Sequence, residues 1–286
     1  MAFPNSLVFN VASSVSSIPS NYIRPASNRP NLDGVYLDDC IPQIDLRYLN
    51  GSNRSDVVKQ TGQACQDYGF FRTENNGIPE EVMDKMLCLS RQFFHFPEDY
   101  VRLHCYPLED YMHEWATNPQ SFSLGLERDY PIKALGNHGQ HMAINYCPLC
   151  PQPELTYGLP CQTDPNVITI LLQDDVPGLQ VLINGRWVAV NPISRTFTVN
   201  IGGQIQVLSN DRYKSVLHRA IVNCNKERIS IPTIYCPSPD AMIGPAPHLI
   251  NDMLILPTTG TLHIASTTRN SGTGDLQLKH VWTCLK

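Results

Sequence analysis

Leu179-Gln180-Val181-Leu182-Ile183-Asn184-Gly185-Arg186-Trp187-Val188-Ala189-Val190 is a pair of apolar-rich runs joined by Asn-Gly. A two-residue turn of this composition closes a hairpin, because both central residues take positive φ and Asn and Gly tolerate it best. The stretch therefore predicts antiparallel β-structure, and the pattern spreads outward from it. Val167 to Leu172 is a further short apolar run on its N-terminal side. Thr196 to Ile201, Gln204 to Leu208, Ser215 to Ile221 and Arg228 to Cys236 follow at near-regular spacing. Many short strands so spaced predict a sandwich or a barrel. Trp187, just past the turn, is expected to pack on that barrel.

Upstream the texture is mixed. Pro42 to Leu46 and Tyr68 to Phe71 read as short strands. Ser55 to Tyr68 carries a helix-start signal, and Pro79 to Phe94 shows a helical stripe of Val82, Met83, Met86, Leu87 and Phe93. Core packing explains that stripe without any cofactor. Residues 1–38 form an arm rich in Ser, Asn and Pro, expected to be flexible. After about Asp252 neither a strand nor a helix period survives.

Composition bounds the function. The 286 residues are 42% apolar and only 16% charged, with a formal net charge of −5. That balance lacks the clustered positive field a nucleic-acid surface needs. No apolar run reaches membrane-spanning length, and no export signal is readable, so a cytoplasmic protein is expected. The ten cysteines are scattered, as befits reduced thiols. Cys147 and Cys150 have C-x-x-C spacing, but Pro148 and Pro151 argue against a redox or zinc motif there.

Asp164 and His218 are possible metal ligands, yet a carboxylate and an imidazole 54 positions apart prove nothing by spacing alone. Their surroundings say more. Gly158-Leu159-Pro160-Cys161-Gln162-Thr163-Asp164-Pro165-Asn166, then Tyr213-Lys214-Ser215-Val216-Leu217-His218-Arg219, then Arg228-Ile229-Ser230, resemble the plant 2-oxoglutarate- and Fe(II)-dependent oxygenases. The likeness extends to Ile41 to Leu46, Gly69-Phe70-Phe71 and Pro237-Ser238-Pro239-Asp240, and is strongest for the downy-mildew-resistance-type and flavonoid-oxygenase subgroup. It implies a mainly β fold, a double-stranded β-helix or jelly-roll core with an N-terminal α/β flank. It also implies an N-terminal dioxygenase region at 39–118 and a β-helix core at 119–252. The implied cofactors are Fe(II) and 2-oxoglutarate, with ascorbate as activator. Two imidazoles and one carboxylate on one face of iron leave positions for keto acid and O₂. By resemblance, Asp164 and His218 are metal ligands with Gln162 in the third place. Arg228 and Ser230 grip the keto-acid tail, since a guanidinium fork suits a carboxylate. Asn145 contacts the same cosubstrate. The implied partner is a small aromatic substrate, a flavonoid or phenolic acid, and the chain is expected to act as a monomer without nucleic acid or membrane. No catalytic side chain beyond these ligands is singled out.

Several departures fall on that chemistry. Gln162 stands where the H-x-D motif has its leading His, and an amide oxygen is a poorer Fe(II) ligand than imidazole nitrogen. Cys147 ends the N-x-Y motif in place of Tyr, Cys161 replaces a usual Gly, and Gly203 stands where Asp is common. A long helix of the family is missing near residue 122, and the closing C-terminal helix is expected to be lost in an aberrant tail at 253–286. Codons for Ile264 onward can be chosen so that the neighbouring frame encodes a family-like ending, which points to a frameshift soon after Asp252. His104, His113 and His141 have no spacing that recommends them as substitute ligands. The expectation is a family member with impaired hydroxylation or desaturation activity. The alternatives are a catalytically inactive binding protein or a decayed pseudogene product.

Overall fold

The computed structural model describes residues 16–32, 34–36, 40–95, 134–136, 139–238, 240–249 and 262–263. Two β-sheets face each other and carry helices on one outer side, which is the jelly-roll arrangement with its α/β flank. The first elements are β1 (Gln43–Asp45), α1 (Arg54–Asp67), β2 (Phe70–Glu74) and α2 (Glu80–His95). The strands β3 (Gly139–Met142), β4 (Asn145–Cys147), β5 (Leu159–Gln162), β6 (Ile168–Gln173), β7 (Leu179–Ile183), β8 (Arg186–Ala189) and β9 (Phe197–Ile201) follow. After them come α3 (Gly203–Leu208), β10 (His218–Ala220), β11 (Arg228–Cys236), β12 (Met242–Ile243) and β13 (Leu262–His263).

The larger sheet runs β1-β2-β9-β6-β11-β3, with β4 also on β11; the smaller runs β5-β10-β7-β8. Only the β1–β2 pair of the larger sheet is parallel. The β7–β8 hairpin closes through Asn184 and Gly185 at φ of 49° and 76°, the positive values the sequence demands.

Alternation along the strands divides the core in two. Outward side chains of the larger sheet, among them Phe71, Val199 and Ile201, pack with Val57, Ala64 and Cys65 of α1. Leu172, Ile229 and Ile231 pack with Met83 of α2. Between the sheets lie Phe70, Leu179, Val181 and Val190, with Leu171, Ile183 and Val216 against them. Full burial of each such side chain contributes roughly 1.5–3 kcal/mol.

One element differs from its expectation. Gln204 to Leu208 is the helix α3, not a strand. Its apolar residues Ile205, Val207 and Leu208 are buried, a spacing too short to separate period two from period 3.6. The Gly203 and Gln204 N–H groups donate to the backbone carbonyls of Asp164 and Asn166, which starts the turn.

Within the arm, Ile18 N–H donates to Gln152, Arg24 N–H to Leu155, and Tyr36 bridges Val188, so these stretches lie against the core. Trp187 packs under the Arg219 guanidinium, 4.0 Å from its ring centre. The missing helix near 122 and all of the tail except β13 fall outside the described residues.

Candidate functional site

β5 ends at Gln162 and β10 begins at His218, and the antiparallel register sets these two residues opposite one another. Cross-strand partners share a face, so both side chains point the same way. Asp164 follows in the loop to β6 and turns back toward them. Its Oδ1 lies 3.4 Å from His218 Nε2 and 3.5 Å from Gln162 Nε2. Its Oδ2 accepts from the Thr169 hydroxyl at 2.6 Å and from Asn200 Nδ2 at 2.8 Å. The Phe70 ring meets the His218 ring edge-on at 5.6 Å. His218 Nδ1 faces the Val216 carbonyl at 3.3 Å, which leaves Nε2 aimed at the carboxylate. Burial pushes the Asp164 carboxyl up. The hydrogen bond and charge of His218, with the Thr169 and Asn200 donors, outweigh that and hold it at about 2.

A second polar group lies on the inward phase of the larger sheet. Arg228 and Ser230 open β11, opposite Cys147 and Asn145 of β4, and Ser230 also pairs with Gln173 of β6. Arg228 Nη1 donates to Ser230 Oγ at 3.1 Å and Nη2 to Gln173 Oε1 at 2.8 Å. Gln173 Nε2 passes the chain on to Thr198 Oγ1 at 3.1 Å. Arg228 Nε is buried without a partner. Burial lowers the guanidinium's proton affinity, while Cys147 and Asp174 work the other way. Two close approaches shape the surroundings. A Cβ on Gly178 would stand 2.7 Å from Arg228 Cδ, and one on Gly158 would stand 2.8 Å from Cys147 Sγ. Asn145 is exposed, in register with Ser230.

The fold thus brings Gln162, Asp164 and His218 to one point and sets Arg228 beside Ser230 on an inward-facing phase. His141 sits exposed on β3 opposite Ile234, and His104 and His113 lie outside the described residues. Cys147 and Cys150 are buried free thiols. Sequence reasoning missed Thr169, Gln173, Thr198 and Asn200. Their signal was a polar residue in one phase of an otherwise apolar strand, as in Ile168-Thr169-Ile170 and Val199-Asn200-Ile201.

Residues 138–237 match the model of the 2OG-Fe(II) oxygenase superfamily, and residues 41–106 match the non-haem dioxygenase N-terminal domain named for morphine synthesis. The chain belongs to the 2-oxoglutarate- and Fe(II)-dependent oxygenase superfamily. It is 47% identical over 309 aligned residues to Protein DMR6-LIKE OXYGENASE 2 of Arabidopsis thaliana, across 88% of this chain and 89% of that one. It is 41% identical over 293 residues to Flavanone 3-dioxygenase 2 of Oryza sativa subsp. japonica, across 82% and 85%. The crystal structure of JOX2 in complex with 2OG, Fe and JA superposes with a TM-score of 0.77 at 33% identity, covering 93% of each chain. The family's cofactors are Fe(II) and 2-oxoglutarate.

The residues present fit those groups unequally. Among the described residues no cluster of three His, Cys, Asp or Glu forms, so a cation would meet two strong donors and one neutral amide. Arg228 fits an organic carboxylate better. It is a buried cation with an unsatisfied Nε, and among the described residues it makes no ion pair within 4.0 Å.

Proposed function

We propose that this chain carries a weakened Fe(II)/2-oxoglutarate site for hydroxylating or desaturating a small aromatic metabolite, a flavonoid or phenolic acid. The observation that carries it is the convergence of Asp164, His218 and Gln162, with Arg228 and Ser230 on the inward phase of the facing sheet. Asp164 and His218 would hold the metal, and Gln162 occupies the third protein position. When bound, Fe(II) and 2-oxoglutarate together supply oxygen activation, with the keto acid leaving as succinate and CO₂.

The chain's own residues do the rest. Arg228 and Ser230 would orient the cosubstrate through its far carboxylate, a contact favoured by charge and by the guanidinium's planar donors. Asn145 would reach the same molecule from β4. Cys147, opposite Arg228, offers only a weak sulfur donor where the family places a phenol, so the grip on the keto acid is reduced. Phe70, Leu171 and Val181 belong to one packed apolar cluster, and the Phe70 ring lies edge-on to His218. The relatives named for flavanones support the aromatic substrate class. Among the described residues no helix is long and apolar enough to cross a membrane. A cytoplasmic monomer is part of the proposal.

A second reading, a keto-acid-binding protein without turnover, is favoured by the paired departures Gln162 and Cys147. Succinate release separates the two. Purified chain with Fe(II), ascorbate and 2-oxoglutarate is expected to form succinate slowly, more so with an added flavanone. Keto-acid binding with no succinate under any condition supports the second reading instead.

A further inference from the structure

We propose that Thr169 and Asn200 are positioning residues for Asp164. By filling Oδ2 they leave Oδ1, which apart from His218 carries only the long 3.5 Å contact from Gln162 Nε2, as the oxygen offered to a divalent cation beside His218. The proposal rests on the reading of Asp164 and His218 as the metal donors.

The direction of the hydrogen bonds fixes the arrangement. Asn166 Nδ2 donates to Thr169 Oγ1 at 2.9 Å, so that oxygen is already an acceptor and its own proton is turned toward Asp164 Oδ2, 2.6 Å away. Asn200 Nδ2 brings a second proton to the same oxygen at 2.8 Å. The main chain of Asp164 is held as well. Its carbonyl accepts from Gly203 N–H at 2.7 Å and from Ser215 Oγ at 3.3 Å. These donors come from β6, β9, α3 and the segment before β10, so four separate parts of the fold locate one residue. Thr169 and Asn200 are almost fully buried, at 6% and 4% exposure, and water cannot easily replace them. Swinging the carboxylate away from His218 would strand both donors. With Gln162 in place of an imidazole, the pre-set position of Asp164 carries more of the site than it would beside two His ligands. Partners of a metal-binding carboxylate typically change affinity 10–100-fold when removed.

The test is Co(II) binding by the full chain, followed by its visible ligand-field absorption, in the parent and in Thr169→Val, Thr169→Ser and Asn200→Ala. Valine keeps the shape of threonine and loses the hydroxyl, whereas serine keeps the hydroxyl. The expected result is 10–100-fold weaker binding for Thr169→Val and Asn200→Ala with an altered absorption band, and rescue by Thr169→Ser. A purely structural role would lower the unfolding temperature and leave affinity and spectrum unmoved, and that result overturns the proposal. The same substitutions are made in a Gln162→His background. A Gln162→His chain that binds Co(II) equally with and without the Thr169 hydroxyl refutes the positioning role alone. A folded Gln162→His chain that takes up no Co(II) refutes the metal-site reading and the proposal with it. If Thr169→Val does not fold, Asn200→Ala decides.

Discussion

At residue scale the chemistry depends on which protons and lone pairs are already committed. Asp164 spends one oxygen on Thr169 and Asn200, and Arg228 spends two nitrogens on Ser230 and Gln173. On the proposed reading a cation would bind at Asp164 Oδ1, which apart from His218 holds only the long contact from Gln162, and an anion at Arg228, whose Nε is buried without a partner. The thiols sort by the same logic. Cys88 and Cys224 are exposed, whereas burial and the nearby Asp164 charge push the Cys236 thiol up to about 11. Since the thiolate is the reactive form, iodoacetamide at pH 8 should, among the described thiols, label the exposed Cys88 and Cys224 ahead of Cys236, which reacts appreciably only as the pH approaches its raised value. Peptide mapping by mass spectrometry checks this, and simultaneous labelling of Cys236 with Cys88 would contradict the burial assigned to it. Asp164 and His218 were identifiable in the sequence only through the motif around them. Thr169 and Asn200 showed only as polar residues interrupting apolar runs, a signal that does not say which face they point to or what they meet there.

At the scale of elements, two glycines predict different penalties. Gly185 takes a φ of 76° with open space where a Cβ would go, so Gly185→Ala meets backbone strain alone and should cost about 1 kcal/mol. Gly202, at the junction of β9 and α3, has ordinary φ, but a Cβ there would lie 2.0 Å from the Asn166 carbonyl oxygen. Gly202→Ala must push backbone apart and should cost about 3 kcal/mol. Urea unfolding of both variants tests the order, and equal losses would contradict it. The hairpin was legible because Asn-Gly admits few alternatives, and β11 was legible because Arg228 to Cys236 is long. α3 was misread as a strand because five residues cannot show a period, and its conformation is set by the carbonyls of Asp164 and Asn166, which sequence does not display.

At the scale of the whole molecule, the chain has a two-sheet frame with Gln162, Asp164 and His218 brought together within it. The alignment with DMR6-LIKE OXYGENASE 2 spans 309 positions yet takes in only 88% of the 286 residues of this chain, so the relative carries residues that have no counterpart here. The apolar sets on both sides of the larger sheet are nonetheless complete enough to bury Val181, Ile229 and Ile231 fully or nearly so. The jelly roll could be anticipated from strand number and spacing joined to the motif resemblance, since many short alternating runs leave few other ways to hide their apolar faces. On the proposed reading, its chemical competence turns on Gln162. Anaerobic calorimetry of Fe(II) binding to the parent chain and to Gln162→His tests this most directly. The expected result is measurable but weak binding by the parent and at least about tenfold tighter binding when imidazole nitrogen is restored beside Asp164 and His218. Equal affinities, or no binding by a folded Gln162→His chain, would contradict a metal site at this point in the barrel.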